Sequence, residues 1–228
     1  MRHLLQPRVL NIAAIAAGVS ALACYPRMAL WPTRTAPVWY LEAAIFFCGI
    51  ILWSFVFAWH APYAKKPVLQ LKLEPKPFIT VTLAGILVAA VYHLWMDPSL
   101  RSKFPEEYPA DFKHWLAFVA FALTFNQLFL TFAPCDWVLR LLKSRWVAVA
   151  LTTLFGACVL MLNVKALPAT ISTPLLVALL AGRLLMGFLA VMFYLRGGVL
   201  LTWWWTFLLE SRHLLTIGGV QAGVSPHY

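Results

Sequence analysis

Acid is what this chain lacks most: Asp and Glu together number 8 against 18 Lys and Arg, and charged residues of every kind make up only 11% of the 228. Polar stretches are equally scarce, and none is long enough to form a soluble domain beside the apolar runs. With 62% hydrophobic residues gathered into those runs, a water-soluble fold is excluded and the bilayer becomes the solvent. The net charge of +10 has no basic stripe behind it, because Lys and Arg are scattered through interhelical loops. Nucleic acid is therefore excluded as a partner, and anionic lipid headgroups are the natural counterpart of those loops. Cys24, Cys48, Cys135 and Cys158 show no paired spacing and read as small hydrophobes, which rules out a disulfide framework. Cys135 in the run APCDW has no Arg and His constellation to make it a transpeptidase nucleophile. No two of the 6 histidines stand four apart, so no helix face carries a ready pair of metal ligands. His60, His93 and His114 accordingly read as satisfied residues near helix ends. No metal and no cofactor is expected, and there is no convincing internal repeat.

What is present is a series of apolar runs near the roughly 20 residues that a spanning helix needs. They cover Val9 to Cys24, Val38 to His60, Phe78 to Met96, Trp115 to Pro134, Trp146 to Val164, Pro174 to Leu195 and Val199 to Ile217. The expectation is an all-α, polytopic membrane bundle of about seven helices. The first run follows Arg2 and Arg8 and ends in Ala21-Leu22-Ala23, as a signal peptide would, but reads as a retained anchor running on towards Pro32. Trp39, Trp59, Trp95, Trp115, Trp137 and Trp146 stand at the edges of the runs, where indoles sit at headgroup level. Lys65, Lys66, Lys72 and Lys76 in one loop, with Arg140, Lys143 and Arg145 in another, assign those loops and the N-terminus to the cytoplasm. Arg27, Arg34, Arg101, Lys103 and Lys165 on the other side weaken that bias. Glu42 lies close enough to its helix end to reach the interface. Glu106 and Glu107, between Pro105 and Pro109, read as a solvated loop. The chain divides into helices one to three (residues 1–112), a core of helices four to seven (113–218) and a mobile tail (219–228).

A charge at the bilayer centre costs about 2.5–3.5 kcal/mol on insertion scales, so each one needs a partner or a purpose. Arg183 stands 14 positions before Gly197 and Glu210 stands 13 after it, across an expected turn at Gly197-Gly198. At about 1.5 Å rise per residue the two reach similar depth and are expected to meet as a buried ion pair. Asn126 and Gln127, near the middle of helix four, join them in a candidate polar cluster. The plainest role for it is a clamp on the hairpin, and the alternative is a substrate or partner site. Gly182 and Gly187 read as positions of close helix packing.

From about Phe121 to Leu215 the stretches NQLFLT, LRLLKSRWVAVALTTLFGACVLM and MGFLAVMFYLRGGVLLTWWWTFLLES follow one another in a readable register. In that register the chain resembles the CPBP family of membrane proteins, which includes the CAAX prenyl endopeptidases and bacteriocin-immunity proteins. The family carries EExxxR, then FxxxH, then a YLRTGSL-type hairpin followed by HxxxN. The resemblance places Asn126 and Gln127 where the glutamates stand, Thr131 at the arginine, Phe155 at the phenylalanine, Val159 at the first histidine, and Phe207 and Ser211 at the last histidine and asparagine. Amides cannot take a proton from water, and Val159 and Phe207 can ligate nothing, so the family's hydrolytic route is closed in this register. The resemblance thus implies a non-catalytic scaffold or accessory subunit of a bacterial inner membrane, binding an integral membrane protein partner in the groove where the enzymes hold substrate. An active intramembrane peptidase with a relocated site built on Glu210, His93 or the Asn126-Gln127 pair, and a small transporter component, are the competing readings.

Overall fold

The computed structural model describes residues 4–30, 36–72, 74–105, 108–164 and 172–223, and for residues 160–161, 163–164 and 218–223 the backbone alone. Pro32, Arg34, Glu106, Glu107, Lys165 and residues 224–228 of the expected loops and tail lie outside the described residues. The described residues form an all-helical bundle: α1 (Pro7–Leu30), α2 (Val38–Ala64), α3 (Pro75–Arg101), α4 (Phe112–Leu142), α5 (Arg145–Val164) and one helical run Thr173–Gly223. Gly197 and Gly198 break that run. Residues 173–196 are α6 and residues 199–223 are α7, so helix continues five residues past the expected start of the tail.

Five of the helical segments are long and apolar enough to cross a membrane: Pro7–Leu30, Val38–Ala64, Pro75–Arg101, Phe112–Leu142 and Thr173–Ile217. The last of these is folded back on itself. Phe193 and Trp205 stand 12 positions apart, about 18 Å along a straight helix, yet their rings meet edge to face with centroids 5.2 Å apart. Gly198, at φ 68°, makes the turn, and a Cβ there would strike the backbone of Val68. Val199 N–H also donates to Val68 O at 3.0 Å, tying the turn to the α2–α3 loop. Outward faces are apolar: Leu22, Leu83, Leu87, Trp95 and Trp146 are exposed, the reverse of a soluble helix.

Prolines that a soluble helix would not tolerate are carried inside these elements. Pro26 lies within α1, Pro62 within α2, Pro98 within α3 and Pro134 within α4. A proline removes one N–H and crowds the carbonyl four residues back. In α3 and α4 that carbonyl, of Leu94 or Leu130, lies in a widened π turn, Tyr92–Met96 or Leu128–Phe132, which takes up the clash. The helices therefore run past the points where the sequence suggests that they stop, α3 beyond Met96 and α4 beyond Pro134. A third π turn, Ala122–Asn126, contains no proline and ends at the candidate amides.

The two ends of the bundle differ. At the end carrying the hairpin turn, α2 and α4 finish on left-handed lysines, Lys65 (φ 58°) and Lys143 (φ 52°). Their N–H groups close onto Ala61 O at 3.1 Å and Leu139 O at 2.9 Å, and Arg145 Nη2 donates to Ala64 O at 2.7 Å. Cations at helix C-termini complement the negative pole of the backbone dipole. At the opposite end Asp111 caps α4, accepting from the His114 N–H at 2.8 Å, and these bonds hold its carboxyl below the usual aspartate range.

Candidate functional site

Two polar sites lie inside the bundle, one at each side of its middle. The first, near the basic end, joins three helices. Asp136 of α4 takes His60 Nδ1 of α2 on one carboxylate oxygen at 3.0 Å and the Tyr194 hydroxyl of α6 on the other at 2.5 Å. All three side chains are fully buried, and the Tyr194 ring packs between His60 and Phe132 with centroids 4.4 and 4.7 Å away. His60 Nε2 has no partner among the described residues. The site is a lock between three helices, and the sequence conceals it, because Asp136 follows Pro134 and so reads as lying outside helix four. The signal that finds it is a carboxylate two residues past a proline in an otherwise apolar helix, which must have a partner if the helix continues.

The second site is open. A cavity of about 460 Å³ lies between α1, α4, α5, α6 and α7. Its wall brings together Asn126, Gln127, Arg183 and Glu210, with Thr131, Thr152 and Thr153, while Phe118, Phe121, Leu130, Met186 and Trp205 supply apolar surface. Arg27 from the end of α1, stacked over the Phe118 ring at 5.4 Å, and Arg212 complete its charges. Among the described residues α1 packs along α2 and α4 and has no extended interface with α5 or α6.

Arg183 and Glu210 face the same space and are near enough to interact electrostatically, but not in the ion pair that equal depth predicts. Among the described residues Arg183 has no carboxylate oxygen within 4.0 Å. The Glu210 carboxylate turns instead to its own helix, with Arg212 Nη1 at 3.5 Å and His213 Nε2 at 3.4 Å. The i, i+3 spacing of helix neighbours explains the choice of His213. Arg212 also reaches back to Asp97 of α3 at 3.2 Å, and Asp97 accepts the Tyr108 hydroxyl at 3.0 Å. Burial and the neighbouring Asp97 push the Tyr108 phenol well above its ordinary range. Asp97, like Asp136, adjoins a proline that the helix passes.

The amides divide their roles. Gln127 Nε2 donates to Thr206 Oγ1 at 2.9 Å, but its buried Oε1 has no partner, and the buried hydroxyls of Thr152 and Thr153 have none either. The remaining positions of the motif register are elsewhere. Phe155 is an exposed ring against Phe129 at 5.7 Å, Phe207 stacks on Trp204 at 5.7 Å, and Ser211 Oγ donates to Phe207 O at 2.7 Å. Neither they nor Val159 are among the described lining residues. Glu42, expected at the interface, has a buried Oε1 without a partner. Gly182 lies so close to the Tyr92 hydroxyl that a Cβ there would collide with it. All four cysteines are free.

No family model, no curated protein and no solved structure matches the chain.

Proposed function

We propose that this protein is a non-catalytic membrane scaffold of CPBP-like type that assembles with an integral membrane partner and uses the α4–α7 cavity as its binding site. In this reading α6 and α7 each cross the bilayer and α5 does too, giving seven spans, with the N-terminus and the Lys65 and Lys143 ends in the cytoplasm of a bacterium. The observation that carries it is the state of Glu210. It is the one acid among the described lining residues, and its carboxylate is held by Arg212 at 3.5 Å and His213 at 3.4 Å. A carboxylate so held is a poor general base, because taking up a proton breaks its contact with a cation. The amides and threonines around it bind by hydrogen bonds and have no acid–base chemistry at neutral pH.

The test is a photo-crosslinking residue placed at Leu130, on the cavity wall, and at Leu87, on the exposed face of α3, in cells expressing the full chain. A discrete adduct from position 130 that position 87 does not give is the expected outcome. Cleavage of a membrane-inserted or prenylated peptide by the purified protein, abolished by Glu210→Gln, would overturn the reading and restore the peptidase.

A further inference from the structure

The cavity also states the chemistry of what it holds. Its ionisable lining is Arg27, Arg183, Arg212 and Glu210, with Asp97 standing behind Arg212 at 3.2 Å. The decisive group is Arg183. Arg212 is shared between two carboxylates, whereas Arg183 projects from the middle of α6 with no hydrogen bond and no carboxylate within 4.0 Å among the described residues. A guanidinium at such depth is expensive unless an anion meets it, and its planar set of donors matches a phosphate oxygen pair. Across the cavity Thr152, only 1% exposed, and Thr153 each hold a hydroxyl with no partner. Gln127 Oε1, also unpartnered among the described residues, is an acceptor that a ligand hydroxyl or N–H would satisfy. The fixed bond from Gln127 Nε2 to Thr206 determines which end of the amide faces the space.

We infer that the cavity binds the headgroup of an anionic phospholipid, with Arg183 on the phosphate, Thr152 and Thr153 donating to its oxygens, and Gln127 accepting from a headgroup hydroxyl. The side between α1 and α5 or α6, which no extended interface among the described residues closes, gives lateral entry from the bilayer, and Phe121, Leu130 and Met186 line the way for the acyl chains. This inference rests on the cavity being a binding site, and it adds the class of ligand.

Native mass spectrometry of the full chain in mild detergent, titrated with phosphatidylglycerol or phosphatidylcholine, tests it. One phosphatidylglycerol should be retained with about tenfold preference over phosphatidylcholine, since charge-assisted hydrogen bonds to Arg183 are available to both phosphates but only one headgroup has net charge and hydroxyls for Gln127. Arg183→Gln should erase that preference, while Arg140→Gln, which removes a cation stacked over Trp59 at the other end, should keep it. Should Arg183→Gln fail to fold, Thr152→Val, expected to weaken retention several-fold, replaces it. Equal retention of the two lipids by the wild-type chain overturns the inference, and so does displacement of phosphatidylglycerol by millimolar inorganic phosphate, which would identify free phosphate as the ligand. If lipid preference is absent but the Leu130 crosslink persists, only the ligand class falls; if both are absent, the binding reading falls with it.

Discussion

The two buried polar sites of this bundle solve the same problem in opposite ways. At His60, Asp136 and Tyr194 the helices bring together a carboxylate and two groups that meet it directly at 2.5 and 3.0 Å, with His60 Nε2 alone left over. Around Arg183, Thr152, Thr153 and Gln127 the helices bring together a cation, two hydroxyls and an amide oxygen that do not meet, and they leave about 460 Å³ between them. Polar groups inside a membrane protein are costly in both places. Where the protein satisfies them itself, the polarity holds helices together. Where it leaves them apart around a space, the polarity is addressed to something else.

The comparison breaks first at Asp136. Asp136→Ala strands the Tyr194 hydroxyl and His60 Nδ1 in a fully buried layer between α2, α4 and α6. Removing one member of such a group costs about 3–5 kcal/mol, enough to lose most folded protein in detergent. Asp136→Asn, which keeps an acceptor for one donor, should lose less. Thermal unfolding followed by size-exclusion chromatography ranks the two, and an Ala variant as stable as wild type would show that the site is not a lock.

A smaller effect is expected at the turn joining α6, which serves both sites, to α7, which lines the open one. Gly198→Ala places a methyl group against the Val68 carbonyl at a residue held at φ 68°. The strain and the displaced backbone bond to Val199 together cost about 1–3 kcal/mol. Disulfide trapping of cysteines at 193 and 205, which face each other across the hairpin at 5.2 Å between ring centroids, should slow in this variant if the turn loosens. Unchanged trapping with unchanged stability would mean that the loop simply moves aside.

The bundle itself was legible in the sequence, since long apolar runs, edge tryptophans and Gly197-Gly198 all point to it, and the four residues of the expected cluster do line one cavity. What escaped is tied to proline. Ending the runs at Met96 and Pro134 leaves Asp97 and Asp136 in loops, yet π turns carry α3 and α4 through Pro98 and Pro134 and bury the two carboxylates. Without those acids Glu210 is the one partner in sight for Arg183. Arg212, two residues from Glu210 and bonded to Asp97 at 3.2 Å, takes that partner instead. Local rules for soluble helices fail here because a π turn rearranges the backbone bonds before each of these prolines and lets the helix continue.

The finest test of the contrast is Thr152→Val, which changes the shape of the side chain little and removes a hydroxyl. In a site that fills itself such a change is costly, because a partner is stranded. Thr152 is 1% exposed and its hydroxyl has no partner among the described residues, so nothing is stranded and the burial penalty of a lone hydroxyl is relieved. The substitution should therefore leave stability unchanged or raise it by about 0.5–1 kcal/mol in lipid-free detergent, and the gain should shrink or reverse when phosphatidylglycerol is added back. A loss of more than about 1 kcal/mol without lipid would show that the hydroxyl already has a partner inside the bundle, and the line between the filled site and the open one would have to be redrawn through α5.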